Sequence, residues 1–253
     1  MPRTPDATLR ERAAALGLHG LLARWNSVEA EPWLVPLIES EETERCRRSL
    51  ERRIHHAALG AFKPVADFDW THPRKIDREA IEALFDLDFL REHINVILIG
   101  SSGVGKTMLT QNLAHRTILA GHTVRFVSAS AMLGDLAAQD GAANQRRRMS
   151  HYTTPSLLVL DEVGYMSYGQ GYSDLLFQVV SQRYQKRSTI VSTNRVFAEW
   201  SEVFPNATSI VALIDRLCHN AEIITIDADS YRNKETLERK AARKAARRPP
   251  RKP

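Results

Sequence analysis

Gly100-Ser101-Ser102-Gly103-Val104-Gly105-Lys106-Thr107 follows the apolar run Asn95-Val96-Ile97-Leu98-Ile99 and precedes Met108-Leu109-Thr110-Gln111-Asn112-Leu113-Ala114, so a glycine-rich turn stands where a strand hands over to a helix. Glycines at both ends of the turn let the backbone bend tightly and aim its N–H groups inward, and the N-terminus of the next helix adds partial positive charge. That combination is a phosphate site. Lys106 is expected to reach the β and γ phosphates of a nucleotide, and Thr107 to present its hydroxyl to Mg²⁺. Gly100, Ser101, Ser102, Gly103, Val104 and Gly105 supply the backbone cradle, and Met108 completes the binding set in the first helical turn. The eight-residue pattern also arises as a glycine-rich turn without a ligand, and the strand before it and the helix after it argue against that alternative.

A second segment carries related chemistry. Leu157-Leu158-Val159-Leu160-Asp161-Glu162 is an apolar strand ending in two acids, which puts Asp161 at the strand tip, where it can hold Mg²⁺ through water next to Thr107. Glu162, one residue on, suits a general base that orients and deprotonates an attacking water near the γ phosphate. The plain alternative is that the two acids merely start a turn. Further along, Thr189-Ile190-Val191-Ser192 runs into Thr193-Asn194, and Asn194 can hold the lytic water or the γ phosphate. A Ser-Thr-Asn strand end is by itself a turn signal. The order of loop, acid pair and polar strand end favours the sensing role.

The surrounding pattern sets the fold class. After residue 94, short apolar runs at 96–99, 124–127, 157–160, 189–192 and 223–226 alternate with helical stretches at 108–120 and 172–187. Continuous Val/Ile/Leu runs imply strands buried on both faces, so the expectation is an α/β domain with a five-stranded parallel sheet and ligands at the carboxyl ends of the strands. The polar, unperiodic stretch 139–155, with Arg146-Arg147-Arg148, reads as an exposed loop or helix end that is either solvated or in contact with DNA. Ahead of the phosphate loop, residues 6–60 read as helices, because Leu9, Ala13 and Leu16 recur at helical spacing and so do Leu50, Ile54, Ala57 and Ala58. Gly17 to Gly20 and Glu31-Pro32 are natural breaks, and 60–73 is a less regular linker. The expected division is a small all-helical domain at 1–65, the α/β domain at 66–238 and a tail at 239–253.

Charge is unevenly placed. The chain has 253 residues and a formal net charge of +5, yet 239–253 hold eight Lys or Arg and no acid, and the remainder has 27 basic against 30 acidic residues, or −3. The tail can grip phosphate backbones or simply solubilise the terminus. Five arginines between Arg45 and Arg53 form either a DNA-facing stripe or a solvated face paired with Glu41, Glu42, Glu44 and Glu51. No apolar run is long enough to span a bilayer and the first thirty residues are charged throughout, so no membrane partner and a cytoplasmic location are expected. Cys46 and Cys218 lie far apart without metal-ligand spacing, and ordinary packing roles in a reducing compartment follow.

Taken in order, these segments resemble an AAA+ ATPase, and within that superfamily the IstB/DnaC-like group of transposition helper ATPases and helicase loaders. The resemblance runs from Leu16-Gly17-Leu18-His19-Gly20-Leu21 through the loop, Leu160-Asp161-Glu162-Val163-Gly164-Tyr165-Met166 and Leu175–Tyr184. It continues in Ser188–Asn194, Phe197-Ala198-Glu199-Trp200, Ile214-Asp215-Arg216-Leu217 and Asp229-Ser230-Tyr231-Arg232. It implies a P-loop AAA+ core preceded by a helical domain, without the full helical lid, since about twenty residues follow Asp229. It also implies ATP and Mg²⁺ as cofactors, and self-association into an oligomer with shared ATP sites. In that arrangement Arg216 resembles the arginine finger that reaches a neighbour's nucleotide, and Arg232 resembles the second sensor arginine. On residue chemistry alone, either arginine is equally a surface ion pair.

Within the group, the front segment, the Glu/Arg-rich helices after Trp33 and Phe197–Trp200 look more like the transposition helper. That likeness implies an ATPase that assembles on double-stranded DNA and stimulates a partner transposase, with hydrolysis timing assembly and release. The alternatives are a helicase loader, whose partner is a replicative helicase, and a nucleotide-gated DNA scaffold with little hydrolysis. Ser156, where many relatives carry Asp, is a mild departure at a strand start.

Overall fold

The computed structural model describes residues 7–240 apart from 166, 167, 170, 205, 206, 235, 237 and 238. Two compact units divide between His55 and His56, ten residues before the boundary expected near 65. The break falls inside a single long helix, which the linker composition at 60–73 does not reveal.

In the first unit, α1 (Leu9–Ala15), α2 (His19–Ala23), α3 (Trp25–Val28) and the front of α4 (Leu34–Ala57) follow one another with short turns. Thr8 starts α1 through a capping box: its hydroxyl accepts from Glu11 N while the Glu11 carboxylate accepts from Thr8 N. The break expected at 17–20 is shorter than the glycines suggest, because Gly20 lies inside α2. Ala13, Leu16, Trp25, Leu34 and Ile38 are buried together, the arrangement that helical spacing of apolar residues requires. Arginines of α4 are mostly neutralised along the helix: Arg45 meets Glu41, Arg47 meets Glu44 and Glu51, and Arg48 meets Glu44. Two hydrogen-bonded arginines hold the Glu44 carboxyl down at about 2.

The second unit is built on β1 (Asn95–Gly100), β2 (Val124–Ser128), β3 (Leu157–Val163), β4 (Ser188–Thr193) and β5 (Ala221–Ile226), all parallel in the order β2-β3-β4-β1-β5. Before the sheet come α5 (Arg78–Ala83) and α6 (Asp88–Arg91). Between the strands run α7 (Lys106–Leu119), α8 (Ala129–Ala137), α9 (Ala142–Thr153), α10 (Tyr172–Arg183), α11 (Trp200–Val203) and α12 (Ala207–Cys218). Helix α7 lies against β1 to β4 and buries Leu109, Leu113 and Ile118. One face of the sheet, through Ile97, Leu158, Leu160 and Val191, joins a core with α8, α10, α11 and α12. Side chains alternate faces along a strand, so the sheet is apolar on both sides, as continuous Val/Ile/Leu runs require. Among the described residues, no helix is long and apolar enough to cross a membrane, and Cys46 and Cys218 are free.

Residues 142–153 depart from the expected loop and form α9, a helix with Met149, Tyr152 and Thr153 buried. Its apolar face has only two large side chains in three turns, too weak a period to read against the polar background. The helix is anchored instead by polar contacts. Buried Arg183, at the end of α10, donates to the carbonyls of Tyr152, Thr153 and Pro155 on one side and of Ser156 and Ser188 on the other, and to Thr189 Oγ1. One cation thus fastens the C-terminus of α9 to the starts of β3 and β4. Burial, with a smaller push from Arg187, lowers its pKa to about 9, so it remains charged at neutral pH.

Candidate nucleotide site

Loop 100–105 leaves the end of β1 and turns into α7 over Gly105, whose φ of +98° is left-handed. Added side chains would not fit there: a Cβ on Gly105 would stand 2.6 Å from Phe68 Cε2, and one on Gly103 would stand 2.4 Å from Ser230 Oγ. The loop is therefore clasped between segment 65–73 on one side and segment 227–232 on the other. Ser101 Oγ donates to Ala228 O at 3.0 Å, and Tyr231 N donates to Gly103 O at 3.0 Å. Lys106, nearly buried, donates to Gly100 O at 2.7 Å and Ser101 O at 2.8 Å, which curls its ammonium back into the cradle.

Thr107 Oγ1 donates to Asp161 Oδ2 at 2.9 Å, joining the loop to the end of β3. Strands β1 and β3 are not neighbours, since β4 lies between them, and the β4 residue Ser192 completes the link. Ser192 Oγ donates to Asp161 Oδ1 and accepts from Glu162 N at 3.0 Å. Pairing of β3 with β4 shifts between Leu160 and Val163, a bulge, and Glu162 takes a left-handed φ of +58°. For a residue with a Cβ that conformation is strained, and it separates the two acids: Asp161 is buried and Glu162 is turned outward.

A cavity of about 280 Å³ opens over the loop and is lined by Ser102 to Met108, Glu162, Asn194 and Arg232. The two remaining loop residues, Gly100 and Ser101, hold the Lys106 ammonium from behind, and Asp161 sits one layer deeper than Thr107. The structure does not bring Arg216 to this cavity. On α12 its guanidinium lies 4.5 Å from the centre of the Phe177 ring, half-exposed. Burial lowers the Lys106 pKa; Asp161 and Glu162 oppose that shift and Arg232 adds to it. Two cations facing one cavity favour an anion there. Thr107 and Asp161 offer hard oxygen donors of the type that Mg²⁺ shares with phosphates. Among the described residues, no group of three or more His, Cys, Asp or Glu could hold a metal ion.

Several wall residues escape a reading of the sequence. Phe68, His72 and Tyr231 line the cavity beside the loop, with the His72 and Tyr231 rings 5.1 Å apart. His72 Nε2 lies 2.9 Å from Asp229 O, Arg74 pairs with Asp229 at 2.7 Å and Lys234 with Asp69 at 2.9 Å, so the two clasping segments are tied to each other. No local pattern signals this. Ser192 had a weak signal as a polar residue ending an apolar strand, but nothing in the sequence aligned it with Asp161.

The IstB-like ATP-binding protein family matches residues 8–239. The chain belongs to that family. Individual relatives agree: it is 34% identical to a Pseudomonas aeruginosa protein of insertion sequence IS21 named for ATP binding, over 80% of this chain and 77% of that one. It is 32% identical to a Mycobacterium tuberculosis protein in an insertion sequence, also named for ATP binding, over 90% and 94% of the two chains. Among solved structures, the fold is similar to DnaI, with a TM-score of 0.52 at 19% identity over 68% of this chain and 90% of that one. Domain III of the Thermotoga maritima replication initiator DnaA gives 0.54 at 16% identity over 76% and 79%. The α/β core expected from the strand pattern is thus that of an IstB-like family member, with a fold shared with DnaI and DnaA.

Proposed function

We propose that the chain is an ATP-hydrolysing helper of transposition, which assembles on double-stranded DNA and stimulates a partner transposase. The observation that carries the ATPase reading is the convergence of Lys106, Thr107 and Glu162 on one cavity at the N-terminus of α7, with Asp161 hydrogen-bonded to Thr107 behind it. Lys106 exchanges its loop carbonyls for β and γ phosphate oxygens, while backbone N–H groups and the helix N-terminus hold the rest of the triphosphate. Thr107 and Asp161 would hold Mg²⁺, which when bound neutralises charge shared between the β and γ phosphates. Glu162 accepts a proton from water as its oxygen bonds to the γ phosphorus and the bond to the ADP oxygen breaks. Asn194 orients that water, and Arg232 faces the phosphates from the segment after β5.

Arg216 has no place in its own cavity, which supports a role in a neighbouring copy's site, within an oligomer that shares ATP sites. Steady release of phosphate that rises with protein concentration and is lost in Arg216→Ala tests the shared site; full turnover by that variant would refute it. The transposition reading draws on the relatives in insertion sequences. Capture of a transposase from the native host supports it, whereas capture of the replicative helicase would replace it with the loader reading that the fold shared with DnaI permits.

A further inference from the structure

Two runs of arginine compete as a contact for DNA, and their surroundings differ. On α4, Arg45, Arg47, Arg48, Arg52 and Arg53 share the helix with Glu39, Glu41, Glu42, Glu44 and Glu51. Ion pairs with Glu41, Glu44 and Glu51 engage three of the arginines. Helix α9, Ala-Ala-Asn-Gln-Arg-Arg-Arg-Met-Ser-His-Tyr-Thr, contains no acid. Arg148 turns inward, where it and the Tyr152 hydroxyl both bind the Asp135 carboxylate. That leaves the facing acid engaged. Arg146, Arg147, Ser150 and His151 are exposed, with Arg147 and His151 one turn apart and Arg147 Nη2 3.4 Å from the Asn144 amide oxygen. At 1.5 Å per residue the two lie about 6 Å apart along the axis.

A further exposed cation stands past the end of the helix. Arg187 donates to Thr153 O, which fixes the turn before β4 against the last residue of α9 and leaves Lys186 exposed beside it. From α10, Gln182 donates to the Sδ of buried Met149, on the packed side of the helix. Asp140 is the nearest acid along the chain and stands before the helix, at the opposite end from Lys186. The row ends at the start of β3, away from the strand end that carries Asp161 and the nucleotide cavity.

We infer that the exposed face of α9, through Arg146 and Arg147 with Lys186 at its end, is a contact for the phosphate backbone of duplex DNA. The inference rests on the DNA-binding reading above and names its surface. Exposed cations without an ion pair among the described residues can displace counterions from a duplex, whereas three of the five on α4 already have carboxylate partners. Contact with phosphates positions the protein without reading sequence.

Anisotropy of a labelled duplex, titrated with the full chain in ATP and Mg²⁺ at a series of salt concentrations, tests this. In Arg146→Ala/Arg147→Ala the slope of log affinity against log salt is expected to shrink by about 2, at about 0.9 per lost phosphate contact, with ATP uptake unchanged. Arg146→Lys/Arg147→Lys should retain the slope, and so should Arg47→Ala/Arg48→Ala on α4. If wild type binds the duplex and the α9 alanine pair binds with the same affinity and slope, the face is not the contact, while DNA binding stands. If well-folded wild type takes up ATP and binds no duplex, the DNA-binding reading falls and this inference with it.

Discussion

Thr107 Oγ1 donates a 2.9 Å hydrogen bond to Asp161 Oδ2 across 54 positions of sequence and across a strand, β4, that belongs to neither motif. A hydroxyl at a helix start and a carboxylate at a strand end meet only because the loop after β1 leans over β4. Ser192, the β4 residue at the crossing, holds the other carboxylate oxygen and the Glu162 amide, so Asp161, Glu162 and the loop after β1 form one connected unit.

Lys106→Ala is expected to weaken ATP binding by about 2–5 kcal/mol, or about thirtyfold and more, because a buried cation opposite the phosphates is lost. Titration calorimetry with Mg²⁺ measures this. Unchanged affinity would remove the phosphate-loop assignment.

Glu162→Gln keeps the size of the side chain and removes the proton acceptor. Turnover is expected to fall about 10² to 10⁴-fold with ATP affinity near wild type. Phosphate release and nucleotide binding, measured on the same sample, separate this outcome from a loss of binding.

Ser192→Ala removes the hydroxyl that ties Asp161 to the Glu162 amide. The loss of two hydrogen bonds is expected to cost about 1–3 kcal/mol in stability and to lower turnover more than ATP affinity, since both acids lose their orientation. Urea unfolding and steady-state kinetics check the two parts; a variant with wild-type turnover would show that the bulge alone sets the acids.

Arg183→Met leaves the carbonyls at the ends of α9 and the starts of β3 and β4 without their donor. A loss of about 3 kcal/mol or more is expected, read as a lower urea midpoint. A shift under about 1 kcal/mol would mean that water replaces the guanidinium.

The lowered pKa of Lys106 has a consequence in alkaline solution. Between its folded value and the ordinary 10.5, the unfolded chain binds the proton and the ligand-free fold does not, so this group's contribution to stability rises with pH through that window. Phosphates beside Lys106 favour its cation and raise the pKa again. ATP binding at alkaline pH should therefore take up protons, seen as a binding enthalpy that varies with the buffer's ionisation heat; Lys106→Met should abolish that uptake.

Much of the core was legible because its signals are local. The runs Val96–Ile99, Leu157–Leu160 and Thr189–Ser192 are apolar at successive positions, which marks strands covered on both faces, and glycines at 103 and 105 mark a backbone that must approach a ligand. Helix α9 was hidden because polar bonds to Asp135 and Arg183 anchor it in place of a wide apolar stripe. Phe68, His72 and Tyr231 were hidden because they come from segments on either side of the core, where lone aromatic residues carry no period.

Residue order and spacing were sufficient for a glycine-rich loop between strand and helix, an acid pair at a strand end and a parallel sheet, since each depends on neighbours within a turn or two of chain. Folding in three dimensions settled which strand lies between the two motifs, that a bulge sends Asp161 inward and Glu162 outward, that Arg216 stands apart from its own cavity, and which arginines meet a carboxylate. These features arise from pairings between segments far apart in the chain, fixed by which apolar faces bury one another and which charges then meet, and no local pattern encodes them.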